Sequence, residues 1–378
     1  MRMNRFAVTL VSFAAAGTLV SRAGIAHEGV DHAHAPADAL SVTQAVRTGA
    51  GDNTYESVPN WCHLPEGRQT LGPTHGGVVE DKDGNILFTM DGGPHAIMVY
   101  KPDGTFVRAV GDEKLTGIHG LCLNDEGGEQ FIYAAHLKGR QALKLKLDGT
   151  VVWSIPFEKV NESGKYQKKE QFSPTAIAVA PDGSVFVADG YGQNWVHKFD
   201  KDQKYVTSFG GPGKEPGKFN TCHGLAIDTR GGKPVLLVAD RANRRLQHFD
   251  FDGKFLDVAA ENLRLPCAMS FRNGQVAVAE LEGRVTILDK DNKEVAHLGD
   301  NPDLKQRANY NVPPDRWKPG IFTAPHGVTF DHEGNVYVMD WNSSGRVSKF
   351  KPIEADKKQA AAPAAAPLPG PPAAVAAR

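Results

Sequence analysis

The sequence predicts an all-β fold, a six-bladed β-propeller, on three observations. A unit recurs six times through the body of the chain, at a period of about 45 to 55 residues. Every copy runs through short apolar segments separated by Asp-Gly turns or their relatives. The last copy is one strand short, and a stretch of strand character around residues 54–59 stands unassigned before the first.

Four copies align directly: THGGVVEDKDGNILFTMD from Thr74, PTAIAVAPDGSVFVAD from Pro174, CHGLAIDTRGGKPVLLVAD from Cys222 and PHGVTFDHEGNVYVMD from Pro325. IHGLCLNDEGGEQFIYAAH from Ile118 and PCAMSFRNGQVAVAE from Pro266 are degenerate copies. Each unit opens with an apolar run such as Leu225-Ala226-Ile227, then turns at a pair such as Asp182-Gly183. A β-branched run follows, such as Val336-Tyr337-Val338, ending in Asp91, Asp189, Asp240, Glu280 or Asp340. A third alternating run, a second Asp-Gly turn and a fourth run close the unit. Four antiparallel strands repeated at this period make a propeller blade, whereas a β-sandwich has no single period repeated six times. The early segment is expected to lend the last blade its missing strand, latching the two ends of the chain and removing a free seam.

The ends read differently from the body. Residues 1–26 have the pattern of a signal peptide: Arg2 and Arg5, an apolar Ala-rich run, then small residues at Ala23 and Ala26. The apolar run of about 15 residues is shorter than the roughly 20 that span a bilayer. A periplasmic or secreted protein is therefore expected, without membrane attachment after signal removal. Residues 27–52, with His27, His32 and His34, read as a His-rich flexible leader. Residues 53–352 form the propeller, and residues 353–378 an Ala/Pro-rich disordered tail.

Composition removes several classes of function. Among 378 residues, 43 Lys and Arg balance 44 Asp and Glu. That balance leaves no electrostatic footprint for nucleic acid or an anionic membrane. The partner expected instead is a small molecule or peptide in the central channel, bound by a monomer. Four cysteines, Cys62, Cys122, Cys222 and Cys267, are too few for a disulfide-dense scaffold. Their pairing is open, and Cys222 and Cys267 read equally as disulfide halves or soft ligands.

First strands line a propeller's channel, so the residues where they start converge on its axis. Those residues are His75, His119, Thr175, His223, Cys267 and His326. Each of the four His precedes a Gly, and His119, His223 and His326 fall on alternate blades. Three imidazoles reaching an axis from three sides suit zinc, and imidazole also binds copper and iron. The alternative is a His kept as a repeat residue with a hydrogen-bonding role. The acidic residues closing the second strands are read as anchors for backbone amides. His136 replaces them in blade two. Tyr191, in ADGYGQN, and Arg241 both follow second strands and face the channel mouth. Tyr191 suits a general base and Arg241 an anion partner.

The repeats resemble NHL repeats, and within that group the body is similar to peptidyl-α-hydroxyglycine α-amidating lyase over about residues 74–350. IHGL, TCHGLAID and APHGVTFD carry the likeness, as does FVADGYGQN. It implies a six-bladed propeller that cleaves hydroxyglycine-extended peptides to amides and glyoxylate. It further implies zinc on His119, His223 and His326, with Tyr191 as the catalytic tyrosine. Three positions depart from the family. Its blade-one Arg is replaced by the Gly92, Gly93 and His95 segment, with Arg68 near only in sequence, leaving Arg241 as the cationic candidate. Gly327 stands where the family carries an Asp for structural calcium, so calcium is not expected. His75 is an added donor, and with it a four-His iron or copper redox centre is a competing reading. A propeller that binds a peptide, protein or carbohydrate without catalysis is the other.

Overall fold

The computed structural model describes residues 44–353, and there the chain is a six-bladed propeller of antiparallel sheets. The signal peptide, most of the His-rich leader and all but the first residue of the tail lie outside the described residues. Blade one comprises Thr74–Glu80, Ile86–Met90, Ile97–Tyr100 and Phe106–Val110. Blade two comprises Ile118–Glu126, Glu129–His136, Gln141–Lys146 and Val151–Pro156. Blade three comprises Ala176–Val179, Val185–Ala188, Trp195–Phe199 and Tyr205–Gly210. Blade four comprises Cys222–Asp228, Val235–Asp240, Arg245–Phe249 and Phe255–Ala260. Blade five comprises Pro266–Arg272, Gln275–Glu280, Arg284–Leu288 and Glu294–Leu298. Blade six takes Pro325–Phe330, Val336–Asp340 and Arg346–Pro352 from the end of the chain.

The latch forms as expected. Asn53–Val58 pairs antiparallel with Arg346–Pro352, in the register Tyr55 to Pro352 and Ser57 to Phe350. The register places Asn53, Tyr55 and Ser57 inward and their neighbours outward, the period-two signature of a half-buried strand. One boundary needs correction. Arg47–Ala50, within the stretch assigned to the leader, is a fifth strand paired with Asn53–Val58, so the folded body begins ahead of residue 53. Its sequence, RTGA, has no apolar alternation to reveal it.

The hydrophobic core is divided among the blade interfaces. Phe186 of blade three packs with Phe209 of its own blade and Leu236, Val238 and Phe249 of blade four. Blades five and six share Ala277, Val285, Ile287, Val336, Val338 and Phe350. The seam between blades six and one is sealed likewise, by Tyr337 and Met339 against Phe88, Tyr100 and Trp61. Second strands are buried on both faces, which explains runs such as ILFTM and VFVA without polar alternation.

Hairpins within blades rely on Asx geometry. Asp331 Oδ1 accepts from the backbone N–H of Glu333 at 3.0 Å and of Asn335 at 2.8 Å. Gly334 then takes φ +91°, a conformation L side chains rarely adopt. An insertion between blades two and three holds a single helical turn, Phe157–Val160, and two 3₁₀ turns, Asn161–Ser163 and Lys169–Gln171. It buries Tyr166 and Phe172 against blade three.

The candidate metal centre at the channel mouth

The acidic residues that close the second strands anchor loops. Asp189 accepts from the N–H of Ser173 and of Gln193, both at 2.6 Å, and from the Tyr166 hydroxyl at 2.7 Å. Asp240 accepts from the N–H of Asn220 at 2.7 Å and from Arg245 Nε at 2.7 Å. Asp340 accepts from the N–H of Thr323 at 2.9 Å and of Ala324 at 2.6 Å. Glu280 accepts from the N–H of Arg264. Each anchor fixes the loop leading into the first strand of its own blade, and hence the residue at the channel mouth. His136 fills the post in blade two with opposite polarity, its Nε2 lying 3.1 Å from the Thr116 carbonyl. Asp91 is the exception, for its carboxylate turns to the mouth and lies 3.7 Å from His75 Nδ1.

Those anchored loops bring all four channel histidines together. Ring centroids of His119, His223 and His326 are 4.6 to 4.8 Å apart. Each of the three engages a backbone carbonyl of the following blade through Nδ1. His119 Nδ1 lies 2.6 Å from Thr175 O, and His223 Nδ1 lies 2.9 Å from Cys267 O. His326 Nδ1 lies 3.1 Å from Gly76 O across the seam. With the proton on Nδ1, His119 and His223 donate to their carbonyls and leave the Nε2 lone pair free, while His326 Nδ1 sits between Gly76 O at 3.1 Å and the Gly76 N–H at 3.2 Å. A metal-ligating histidine is oriented this way, its other ring nitrogen held by a carbonyl or carboxylate. His326 Nε2 is buried and has no hydrogen-bond partner, a costly arrangement for a polar atom unless something binds it.

The glycine after each of these histidines now has a physical reason. A Cβ at Gly120 would lie 2.5 Å from Thr175 O, and one at Gly327 would lie 2.8 Å from Gly76 O. A Cβ at Gly224 would likewise meet Cys267 O. Only glycine lets the neighbouring carbonyl close enough to hold the imidazole. An aspartate at 327 would collide there, so the chain has no room for that calcium ligand.

His75 belongs to the cluster but is held differently. Its ring centroid is 4.5 Å from those of His119 and His326. The strand around it bulges, pairing Thr74 with Met90 and next Val78 with Phe88. Gly76 adopts φ +118° within that bulge. Trp341 lies 6.0 Å from the His75 ring, a mouth residue that the repeat alignment does not single out, whereas Asp91 stands there in place of the backbone anchor the alignment predicts.

Tyr191 and Arg241 also reach the site. The Tyr191 hydroxyl lies 3.3 Å from His119 Nε2 and 3.0 Å from His223 Nε2. Arg241 Nη1 donates to it at 3.1 Å. Arg68 does not arrive; it donates to Leu71 O within its own loop. His95 is occupied near Gly111 O at 3.3 Å. The four cysteines are free thiols, which settles the pairings left open above. Cys267 instead joins the centre.

Electrostatics favour neutral ligands. Burial holds His119, His223 and His326 well below the ordinary imidazole range, reinforced by neighbouring imidazoles and Arg241. Neutral imidazole is the metal-binding form. Burial raises the Tyr191 phenol, and Arg241 works against it. Burial also pushes the Cys267 thiol up to about 11, again with Arg241 opposing. Two donor groups can hold a metal ion: His75, His119 and His326, and His223, Cys267 and His326. Within each group the ligand atoms lie within 4.8 Å of one another. Below the mouth the first strands enclose a cavity of about 420 Å³ lined by apolar residues such as Leu121, Ile177, Leu225, Met269 and Val328.

The fold and the histidine mouth define an NHL-like six-bladed propeller with the makings of a metal centre. No protein-family model matches the chain. It is 30% identical over 177 residues to mouse peptidyl-glycine alpha-amidating monooxygenase, an alignment covering 44% of this chain and 17% of the mouse protein. It is 28% identical over 163 residues to human NHL repeat-containing protein 3, covering 41% of this chain and 45% of that one. A Caenorhabditis elegans protein named "Probable peptidyl-alpha-hydroxyglycine alpha-amidating lyase" is 36% identical over 78 residues, covering 20% of this chain and 22% of the worm protein. The chain thus spans less than half the length of these curated relatives. Among solved structures, a gluconolactonase from Xanthomonas campestris superposes with TM-score 0.54 at 15% identity, covering 82% of this chain and 97% of that one. A streptogramin B lyase gives 0.53 at 15%, covering 80% and 98%. At that identity they show the fold alone. Over part of its length the chain thus resembles amidating-lyase and NHL-repeat proteins.

Proposed function

We propose that this chain is an exported, metal-dependent lyase whose centre is held by His119, His223 and His326. The observation that supports the reading is three imidazoles beside backbone carbonyls through Nδ1, their ring centroids 4.6 to 4.8 Å apart and the Nε2 of His326 buried and unpartnered. Three imidazoles with an open position suit zinc, and the same ligands accept copper or iron. A bound ion would supply Lewis acidity toward a substrate oxygen.

The substrate class that fits is a peptide or small amide ending in an α-hydroxyglycine carboxylate. Tyr191, beside His119 and His223, takes the proton of the substrate hydroxyl as a phenolate, the form that Arg241 favours against burial, and passes it on to the departing nitrogen. As that O–H electron pair becomes a carbonyl, the carbon–nitrogen bond breaks. The nitrogen takes up a proton, and an amide and a 2-oxo acid aldehyde leave. Arg241 holds the Tyr191 oxygen and stabilises it when it carries charge. In the absence of the family's blade-one arginine, Arg241 is also the cation available for the substrate carboxylate.

The test pairs elemental analysis with turnover of an N-acyl-α-hydroxyglycine. Wild-type protein should hold about one metal ion per chain and release the amide. His223→Ala should lose the metal. Tyr191→Phe should keep it and lose at least about 100-fold in rate. A metal-free wild-type protein that stays inactive after zinc, copper and iron supplementation refutes the proposal and favours a binding propeller.

A further inference from the structure

The centre alternates between even and odd blades. The even blades give His119, His223 and His326, and each gap between them faces an odd blade. The gap between His119 and His223 is covered by Tyr191 of blade three. The gap between His326 and His119 is occupied by His75 of blade one. The remaining gap, between His223 and His326, faces Cys267 of blade five, whose sulfur lies within 4.8 Å of a ligand nitrogen on each.

The three odd positions are not equivalent. Thr175, the blade-three counterpart of Cys267, turns its hydroxyl away to donate to Cys222 O at 2.8 Å. The Cys267 sulfur lies 3.5 Å from Leu265 O and next to the Arg241 guanidinium, which favours its thiolate form. Cys267 is 1% exposed, beside the unpartnered Nε2 of the equally buried His326. The His223 imidazole and the Cys267 thiol thus flank the unpartnered nitrogen of His326, a set of two imidazoles and one thiol able to hold an ion.

We propose that Cys267 is a metal ligand, giving the channel ion a thiolate alongside His223 and His326. On ligation the S–H proton passes to solvent and a metal–sulfur bond forms, with no change of oxidation state. Thiolate in the set selects a thiophilic ion, Zn²⁺ or a copper ion, over Mg²⁺ or Mn²⁺. This rests on the proposal that the channel mouth binds metal, and it adds a ligand the three-histidine reading does not contain.

The experiment uses Co²⁺ as a probe for the zinc position, added to metal-free protein under a phosphine reductant. With one Co²⁺ bound, wild-type protein should show a near-ultraviolet sulfur-to-cobalt charge-transfer band. Cys267→Ser should still bind Co²⁺ through imidazoles and lose that band, and His75→Ala should retain it. X-ray absorption of the zinc-loaded wild-type protein needs no variant and should show a sulfur neighbour at about 2.3 Å beside nitrogens at about 2.0 Å. One bound ion with neither signal overturns the thiolate and leaves the three-histidine centre standing. No bound ion overturns both.

Discussion

Replacing Gly120 by alanine tests whether the backbone carbonyls tune the centre. Gly120 is not in a positive-φ conformation, so alanine carries no penalty from backbone angles. The cost is a contact. The new Cβ would sit 2.5 Å from Thr175 O and 2.8 Å from Ala176 Cα, whereas ordinary contact begins at 3.4 Å. The carbonyl must therefore retreat by about 0.9 Å, working from those two distances. The His119 Nδ1 to Thr175 O separation of 2.6 Å then lengthens toward about 3.5 Å, the outer limit of a hydrogen bond. His119 loses its orienting partner while every ligand remains. Outer-shell losses of this kind weaken metal affinity about 10- to 100-fold, or about 1.4 to 2.7 kcal/mol. Overpacking adds about 1 to 3 kcal/mol of destabilisation. The assay is a chelator-competition titration of Zn²⁺ on folded protein, with Gly231→Ala as control because a Cβ there meets nothing within 4 Å. A folded Gly120→Ala protein that binds zinc as tightly as wild type would refute the argument.

Three further outcomes are expected. Arg241→Met should leave metal content unchanged and reduce kcat/KM on an α-hydroxyglycine substrate about 10- to 100-fold, since it removes a charged hydrogen bond; unchanged kinetics would exclude Arg241 from the site. Tyr55→Ala, which empties a buried position on the latch strand, should cost about 3 to 5 kcal/mol in denaturant unfolding, and a loss below about 1 kcal/mol would show that the latch contributes little. The third is a pH effect. His197 is pushed down to about 3 and Asp189 up to about 6, both by burial. Unfolding lets the imidazole take a proton near pH 6.5, so its contribution to stability falls on acidification below that, by about 1.4 kcal/mol per pH unit. The native aspartate is protonated below about 6 and the unfolded one only below 3.8, so its contribution rises across that window at the same slope. The two oppose each other between about pH 6 and 4. His197→Gln removes only the first, so thermal stability relative to wild type should rise as pH falls across that window. Parallel Tm curves would exclude this pairing.

Much of the architecture was legible because blades repeat. Six Asp-Gly-punctuated units give the blade count, and the short final copy points to a latch from residues 54–59. Convergence of His75, His119, His223 and His326 follows from their shared place in the repeat, and Tyr191 and Arg241 from theirs. What stayed hidden rests on backbone and on exceptions. The carbonyls of Thr175, Cys267 and Gly76 that hold the imidazoles leave no mark on residue type, and only the glycine after each histidine hints at them. Blades two, four, five and six bulge at the same place in their first strands, and only the wider bulge from Thr74 to Val78 around His75 departs from the repeat. The fifth strand of blade six is short and polar, and the helical insertion carrying Tyr166 falls between repeats.

His326 stands on the last blade and takes its orientation from Gly76 on the first, so the join between the ends of the chain runs through the centre itself. The other two imidazoles of the proposed set come from blades two and four. No arc of the ring short of five blades therefore contains the full set, and a partly assembled ring lacks at least one of the three imidazoles. An ion at that point would act as a clasp on a hoop, its affinity adding to the work of opening the circle. Metal occupancy would then report the integrity of the whole ring as well as its readiness to react.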